Sequence, residues 1–235
     1  MGSMIRIAVE DGLIFEAYLA LPPKGDGPGM VVLPEMYNLN STFREVADGY
    51  AADGFIAIAP DMYWRTQSGL FLEFAEHNRQ RARALYAALD RDLAVSDVGR
   101  CIEALRRRGD ANGKVAVVGF CMGGEIAALA ACRVPVDAVA MYYATKMEPH
   151  VKEMSTIKVP TIMHFAENDQ HIPLATVEAI RNETAALAHV NIHVYLDTGH
   201  AFARPRSAYF IDDATALAHA RTLTLFKNLF RRANV

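Results

Sequence analysis

One cysteine stands where a nucleophile would be presented. The run Gly119-Phe120-Cys121-Met122-Gly123-Gly124 follows an apolar segment at 114–118 and precedes a helix-like segment at 125–131. A glycine two residues to either side of Cys121 suits a strained strand-to-helix turn, in which neighbouring backbones approach too closely for side chains. Such a turn would place Cys121 at a helix N-terminus, where unpaired N–H groups and the helix dipole favour a thiolate over a thiol. The Met122 N–H then becomes a candidate oxyanion donor. Free cysteine is more commonly a small buried apolar residue, and that reading suits Cys101 and Cys132 inside their helices.

A thiol nucleophile needs a base and a carboxylate to orient it. In a hydrolase built on this turn, acid and then histidine follow, each in a loop after a strand. Residues 161–165 are apolar and lead into Ala166-Glu167-Asn168-Asp169-Gln170-His171-Ile172-Pro173, where Asp169 is the first choice of orienter and Glu167 the alternative. Residues 192–196 lead into Asp197-Thr198-Gly199-His200-Ala201-Phe202, in which Gly199 is expected to turn the backbone so that His200 points at the nucleophile. Imidazole can accept the thiol proton near neutral pH and return it to the leaving oxygen, while the carboxylate sets its tautomer. Of the eight histidines, His171 competes with His200 from a comparable loop. His164 and His193 fall in strands, and His77, His150, His189 and His219 in helices or surface segments. No ligand spacing for a metal is recognisable, and the chemistry calls for no cofactor.

The elements that must hold these residues alternate along the chain. Residues 5–9 and 13–21 read as an antiparallel pair turning at Asp11-Gly12. Short apolar runs at 30–33, 55–59, 115–119, 138–142, 161–165 and 192–196 read as strands buried on both faces. Residues 22–29 read as a surface loop, and helices are expected at 41–52, 72–89, 94–108, 123–131, 175–189 and 214–232. This order predicts an α/β protein, a three-layer α/β-hydrolase fold with a mostly parallel central sheet of about eight strands flanked by helices. Catalytic residues then belong at the carboxyl ends of strands.

Composition narrows the function. The 235 residues suit one domain, taken as residues 4–235 with Met4 as the natural start and residues 1–3 as an added leader. Apolar residues make up 52%, charged residues 22%, and the net charge is −3. That balance gives no reason to expect nucleic acid as a partner. No run approaches the roughly 18 apolar residues of a membrane span, and no signal-peptide pattern opens the chain. Three cysteines that fit no disulfide framework agree with a reducing, cytoplasmic location. A monomer is expected, with self-association left open.

These residues resemble the dienelactone hydrolase, or carboxymethylenebutenolidase, family over nearly the whole chain. The likeness is carried by the G-x-C-x-G-G turn, by Gly199-His200-Ala201-Phe202-Ala203-Arg204, by Val31-Val32-Leu33-Pro34-Glu35 with Asn40, and by Pro60-Asp61-Met62-Tyr63. The resemblance implies that Glu35 contacts Cys121 at rest and is displaced when substrate binds, and that the Met36 N–H is a second oxyanion donor. It also implies that Arg79 and Arg204 clamp an anionic substrate. Arg83 and Tyr86 stand where the family has a pocket tyrosine and a tryptophan, so the pocket is altered. Tyr143 and Phe202 complete the candidate substrate-binding set. The implied reaction opens an activated, anionic lactone or enol ester through a thioester on Cys121. Two other readings stay open: a broader carboxylesterase or thioesterase on the same scaffold, and a non-catalytic small-molecule-binding or redox-sensing protein.

Overall fold

The structure is a computed structural model and describes residues 2–9 and 12–230. Strands β1 (Ser3–Ala8) and β2 (Ile14–Ala20) pair antiparallel. Asp11 of the expected turn and the expected helix end at 232 lie outside the described residues. There follow β3 (Gly27–Leu33), α1 (Ser41–Ala52), β4 (Ile56–Pro60), α2 (Trp64–Gln67), α3 (Glu76–Ala88), α4 (Arg91–Arg106), β5 (Ala111–Phe120) and α5 (Met122–Arg133). The chain continues through β6 (Ala138–Tyr142), a 3₁₀ segment (Glu148–Thr156), β7 (Thr161–Ala166), α6 (Leu174–Glu183), β8 (Val190–Tyr195) and α7 (Asp212–Phe230).

The eight strands form one sheet in the order β1-β2-β4-β3-β5-β6-β7-β8, antiparallel from β1 to β4 and parallel thereafter. From β3 the chain crosses through α1 to one side of the sheet, and from β5 through α5 to the other. Right-handed crossovers therefore put α1 and α5 on opposite faces. Helix α7 joins α1, where the His219 ring lies 5.4 Å from Tyr50 and its Nε2 lies 2.8 Å from Asp53. Helix α4 packs beside α5. This is the three-layer α/β-hydrolase fold. The reversal of direction between β3 and β5 opens a crevice at their carboxyl ends, the usual ligand position in such sheets. Glu35 follows β3 there, and Cys121 follows β5.

Local pattern misplaced some boundaries. Strand β3 begins at Gly27, inside the expected loop, and β5 begins at Ala111, because these two residues pair with each other across the sheet. Strand β8 is half-exposed through its middle, against the expectation of two-sided burial, because it is the last strand of the sheet. Helix α3 starts at Glu76 rather than 72. Extended backbone at 72 is held instead by Leu72 N–H donating to Tyr37 O at 3.0 Å and Asn40 Nδ2 donating to Leu72 O at 3.0 Å. No helix among the described residues is long and apolar enough to cross a membrane.

Candidate active site

Cys121 sits alone between β5 and α5 at φ 53°, ψ −112°. A non-glycine residue held there costs on the order of 1–3 kcal/mol, so the surroundings must impose it. Its N–H donates to Tyr142 O at 3.0 Å, and its carbonyl accepts from Glu125 N–H at 3.1 Å and Thr145 N–H at 3.3 Å. The flanking glycines mark where three backbones meet. A Cβ on Gly119 would lie 2.0 Å from the Gly123 carbonyl oxygen, and one on Gly123 would lie 2.2 Å from that of Leu33. The thiol is 6% exposed and opens onto the crevice.

The loops after β7 and β8 bring Asp169 and His200 together. His200 Nδ1 lies 2.8 Å from Asp169 Oδ2, and the other Asp169 oxygen accepts the His171 N–H at 2.8 Å. With Nδ1 so engaged, Nε2 is left for Cys121. Burial pushes the His200 pKa down, but the Cys121 charge and the hydrogen bonds to Asp169 and Cys121 outweigh it and raise the value to about 10. These influences favour the protonated imidazole beside the sulfur. His171 stands edge-on at 4.8 Å, and burial together with the His200 charge pushes its pKa down, so the competing histidine is a neutral flank. Glu167, the alternative orienter, instead accepts the Asp197 N–H at 2.9 Å and latches the two loops. Gly199 does not make the turn: the left-handed residues are Asp197 (φ 55°) and Ala201 (φ 63°), three residues before and one after His200.

Met122 opens α5, where the first N–H groups have no intrahelical acceptor. Met36 lies in a tight turn closed by Asn38 N–H donating to Glu35 O at 2.9 Å. That turn is clamped from the segment after β4. Tyr63 O–H donates to Met36 O at 2.8 Å, and buried Asp61 accepts from Asn38 Nδ2 at 2.6 Å and Tyr63 N–H at 3.0 Å. The Met36 and Met122 N–H groups therefore belong to backbone with little freedom to move.

Glu35 departs from expectation. Among the described residues its hydrogen bonds come from Tyr143 O–H, at 3.2 Å to Oε1, and from Arg204, to Oε2, and not from Cys121. A guanidinium returning from the loop after β8 is a stronger partner for a buried carboxylate than a neutral thiol. The Arg204 guanidinium also lies 4.3 Å from the centre of the Phe74 ring, and its buried Nε has no hydrogen-bond partner among the described residues.

The crevice encloses about 670 Å³ and is lined by Arg79, Arg83, Tyr86 and Arg204 among others. Arg79 pairs with Glu76 at 2.8 Å on the exposed face of α3. Tyr86 shows the cavity its ring but turns its hydroxyl inward. Tyr143 and Phe202, expected to bind substrate, are fully buried and line none of the cavity. They pack on each other at 5.7 Å, and Tyr143 backs the His200 ring at 5.1 Å, so they brace the site from behind. Sequence reasoning missed Thr145 and Lys146, which line the cavity from the loop after β6. The one local hint was their position just past the end of a parallel strand.

The profile of the dienelactone hydrolase family matches residues 15–232. The carboxymethylenebutenolidase of Pseudomonas putida is 32% identical over 220 residues, covering 93% of each chain. That of Pseudomonas sp. (strain P51) is 33% identical over 228 residues, covering 96% of this chain and 94% of the other. Among solved structures, dienelactone hydrolase from Anabaena variabilis ATCC 29413 superposes with a TM-score of 0.71 at 17% identity, covering 98% of this chain and 99% of the other. A dienelactone hydrolase-like promiscuous phosphotriesterase from metagenomic libraries gives 0.79 at 20%, covering 97% and 99%. The structural matches carry the fold, and the sequence matches carry more. A strained cysteine turn after β5, in a chain that follows the family from β2 into α7, makes this protein a member of the dienelactone hydrolase family, a hydrolase of the ester and lactone type.

Proposed function

We propose that the protein opens an activated, anionic lactone or enol ester through Cys121, His200 and Asp169. The observation that carries this reading is His200, held by Asp169 beside a cysteine at a helix N-terminus, with Arg204 lining the same cavity. The Cys121 thiolate attacks the carbonyl carbon, and the Met122 and Met36 N–H groups receive the oxyanion. The tetrahedral adduct collapses by breaking the ring C–O bond. The leaving oxygen takes the His200 proton or departs as a stabilised enolate, and a thioester remains on Cys121. Water then attacks the thioester, its proton taken by His200 where His200 has protonated the leaving oxygen, or by the enolate where His200 is still protonated, releasing the carboxylate product and restoring the thiolate. A thiolate is expelled more readily than an alkoxide, so activated leaving groups suit this site and simple alkyl esters do not.

The preference for an anion rests on Arg204. Arg204 lines the cavity, and Glu35 holds it as an internal carboxylate. Substrate would compete with Glu35 for the guanidinium, and the freed Glu35 would lie close to the nucleophile. A second reading, a broader esterase, is favoured by the same Glu35 pairing, which already neutralises the arginine.

Mass spectrometry after rapid mixing with a carboxylated dienelactone tests the proposal. A transient acyl adduct on Cys121 that decays with turnover, and is absent in Cys121→Ala, is expected. Turnover that persists in Cys121→Ala would overturn it.

A further inference from the structure

We infer that the Thr145 hydroxyl is a second polar partner of the Cys121 sulfur, besides His200, and is switched between sulfur and Tyr86 as the sulfur gains and loses charge. This rests on the reading of Cys121 as nucleophile. Thr145 Oγ1 lies 3.8 Å from Cys121 Sγ and 2.8 Å from Tyr86 OH, and Tyr86 OH lies 2.6 Å from Glu125 Oε2. Glu125 also accepts from Arg91 Nε at 3.2 Å and faces His150 Nε2 at 3.2 Å.

The contacts tie α4 and the 3₁₀ segment to α5 and reach beyond them to the Cys121 sulfur. Glu125 is 1% exposed in the first turn of a helix whose next residues, 126–131, are all buried and apolar. Burying a carboxylate there costs desolvation that an alanine would avoid. Of its three side-chain neighbours, Tyr86 connects it through Thr145 to the Cys121 sulfur.

Hydrogen counting gives the chain its direction. Tyr86 and Thr145 each own one hydroxyl hydrogen. Burial and then the Glu125 charge push the Tyr86 pKa up, so that hydrogen stays on the phenol. When Cys121 is a thiol or a thioester, Thr145 donates to Tyr86 and Tyr86 donates to Glu125. When Cys121 is a thiolate, both hydroxyls rotate: Tyr86 donates to Thr145, and Thr145 donates to the sulfur. Arg91 and His150 still face Glu125 Oε1, and Oε2 gives up the Tyr86 hydrogen in exchange for the hydrogen bond gained by the thiolate. No proton changes owner, so the switch adds a donor to the thiolate without competing with His200.

The experiment follows Cys121 alkylation by iodoacetamide against pH in the parent, Thr145→Val, Thr145→Ser and Tyr86→Phe, each checked for folding by thermal denaturation. The other charged groups around the sulfur are His200 from the β8 loop, Glu35 with Arg204, Lys146 beside Thr145, and Arg91 with His150. All stay in place in these variants. Thr145→Val should raise the midpoint by about one pH unit, the size of one hydrogen bond to a charged group. Thr145→Ser should restore it, and Tyr86→Phe, which leaves the sulfur its donor, should move it less. A Thr145→Val profile that superimposes on the parent, or a Thr145→Ser profile that follows Thr145→Val, would overturn the inference. Parent protein that stays active after alkylation of Cys121 would instead overturn the nucleophile reading itself.

Discussion

Around Cys121 each of the proposed reacting groups is fixed by several buried contacts, whereas Arg79 and Arg83 reach the same cavity from the exposed face of α3. On the floor, backbone of β3, β5 and α5 meets with no room for a Cβ, and the Asp169 side chain is fully buried against His200. At the rim, Arg79 is 46% exposed and holds a neighbouring glutamate one turn away. The contrast separates two tasks. Bond making needs geometry good to a fraction of an ångström, which only close packing supplies. Exposed rim arginines, screened by solvent, can add only weak charge at a distance, which a few substitutions can retune.

The largest effect should come from Asp169→Asn. Loss of the carboxylate should cut kcat by about 10⁴-fold, because the imidazole loses both its tautomer control and a stabilising charge. The same substitution should lower the His200 titration, read by NMR, from about 10 toward its ordinary 6.5. The sign follows from linkage: a raised folded-state pKa contributes stability in full below pH 6.5, fading as pH rises toward about 10. The Tm of Asp169→Asn should accordingly vary less across that window. An unchanged titration would show that Cys121 alone sets the charge on His200.

Next in size is Gly123→Ala, whose Cβ would lie 2.2 Å from the Leu33 oxygen and 2.6 Å from its carbon. Neither atom belongs to a flexible side chain, so a loss of more than about 4 kcal/mol in urea denaturation is expected. A variant of near-parental stability would mean that the floor is less tightly determined than its backbone contacts indicate. For Arg204→Ala, kcat/KM toward a carboxylated lactone should fall by about 10- to 100-fold, with a neutral activated ester changed by less than about threefold. Equal losses on both substrates would reassign Arg204 to holding Glu35. Arg79→Ala should be the mildest, below about fivefold on the anionic substrate, because an exposed guanidinium is screened by solvent. A larger loss would erase the distinction between floor and rim.

The positions of Cys121, Asp169 and His200 were legible because each depends on local order: strand, turn, helix in one case and strand, loop in the others. Gly199 misled for the same reason, since a glycine before a histidine suggests a turn that Asp197 and Ala201 in fact make. Tyr143 and Phe202 were expected in the pocket, but tertiary packing buries both rings in the core. Tyr63, which clamps the Met36 turn from 27 residues away, appeared in the sequence only as part of a matching segment.

By itself, the sequence determined which strands exist, that they lie mostly parallel, and where a nucleophile, an acid and a base would emerge from them. Periodicity and turn chemistry act over a few residues, and those features need nothing more. Tertiary structure alone decided that Glu35 faces Arg204 across 169 residues rather than Cys121, and that the Tyr86 hydroxyl joins Glu125 and Thr145, 39 and 59 residues distant. Those partners are chosen by which buried charge or hydroxyl would otherwise go unmet, a condition that exists only once the sheet has closed over them.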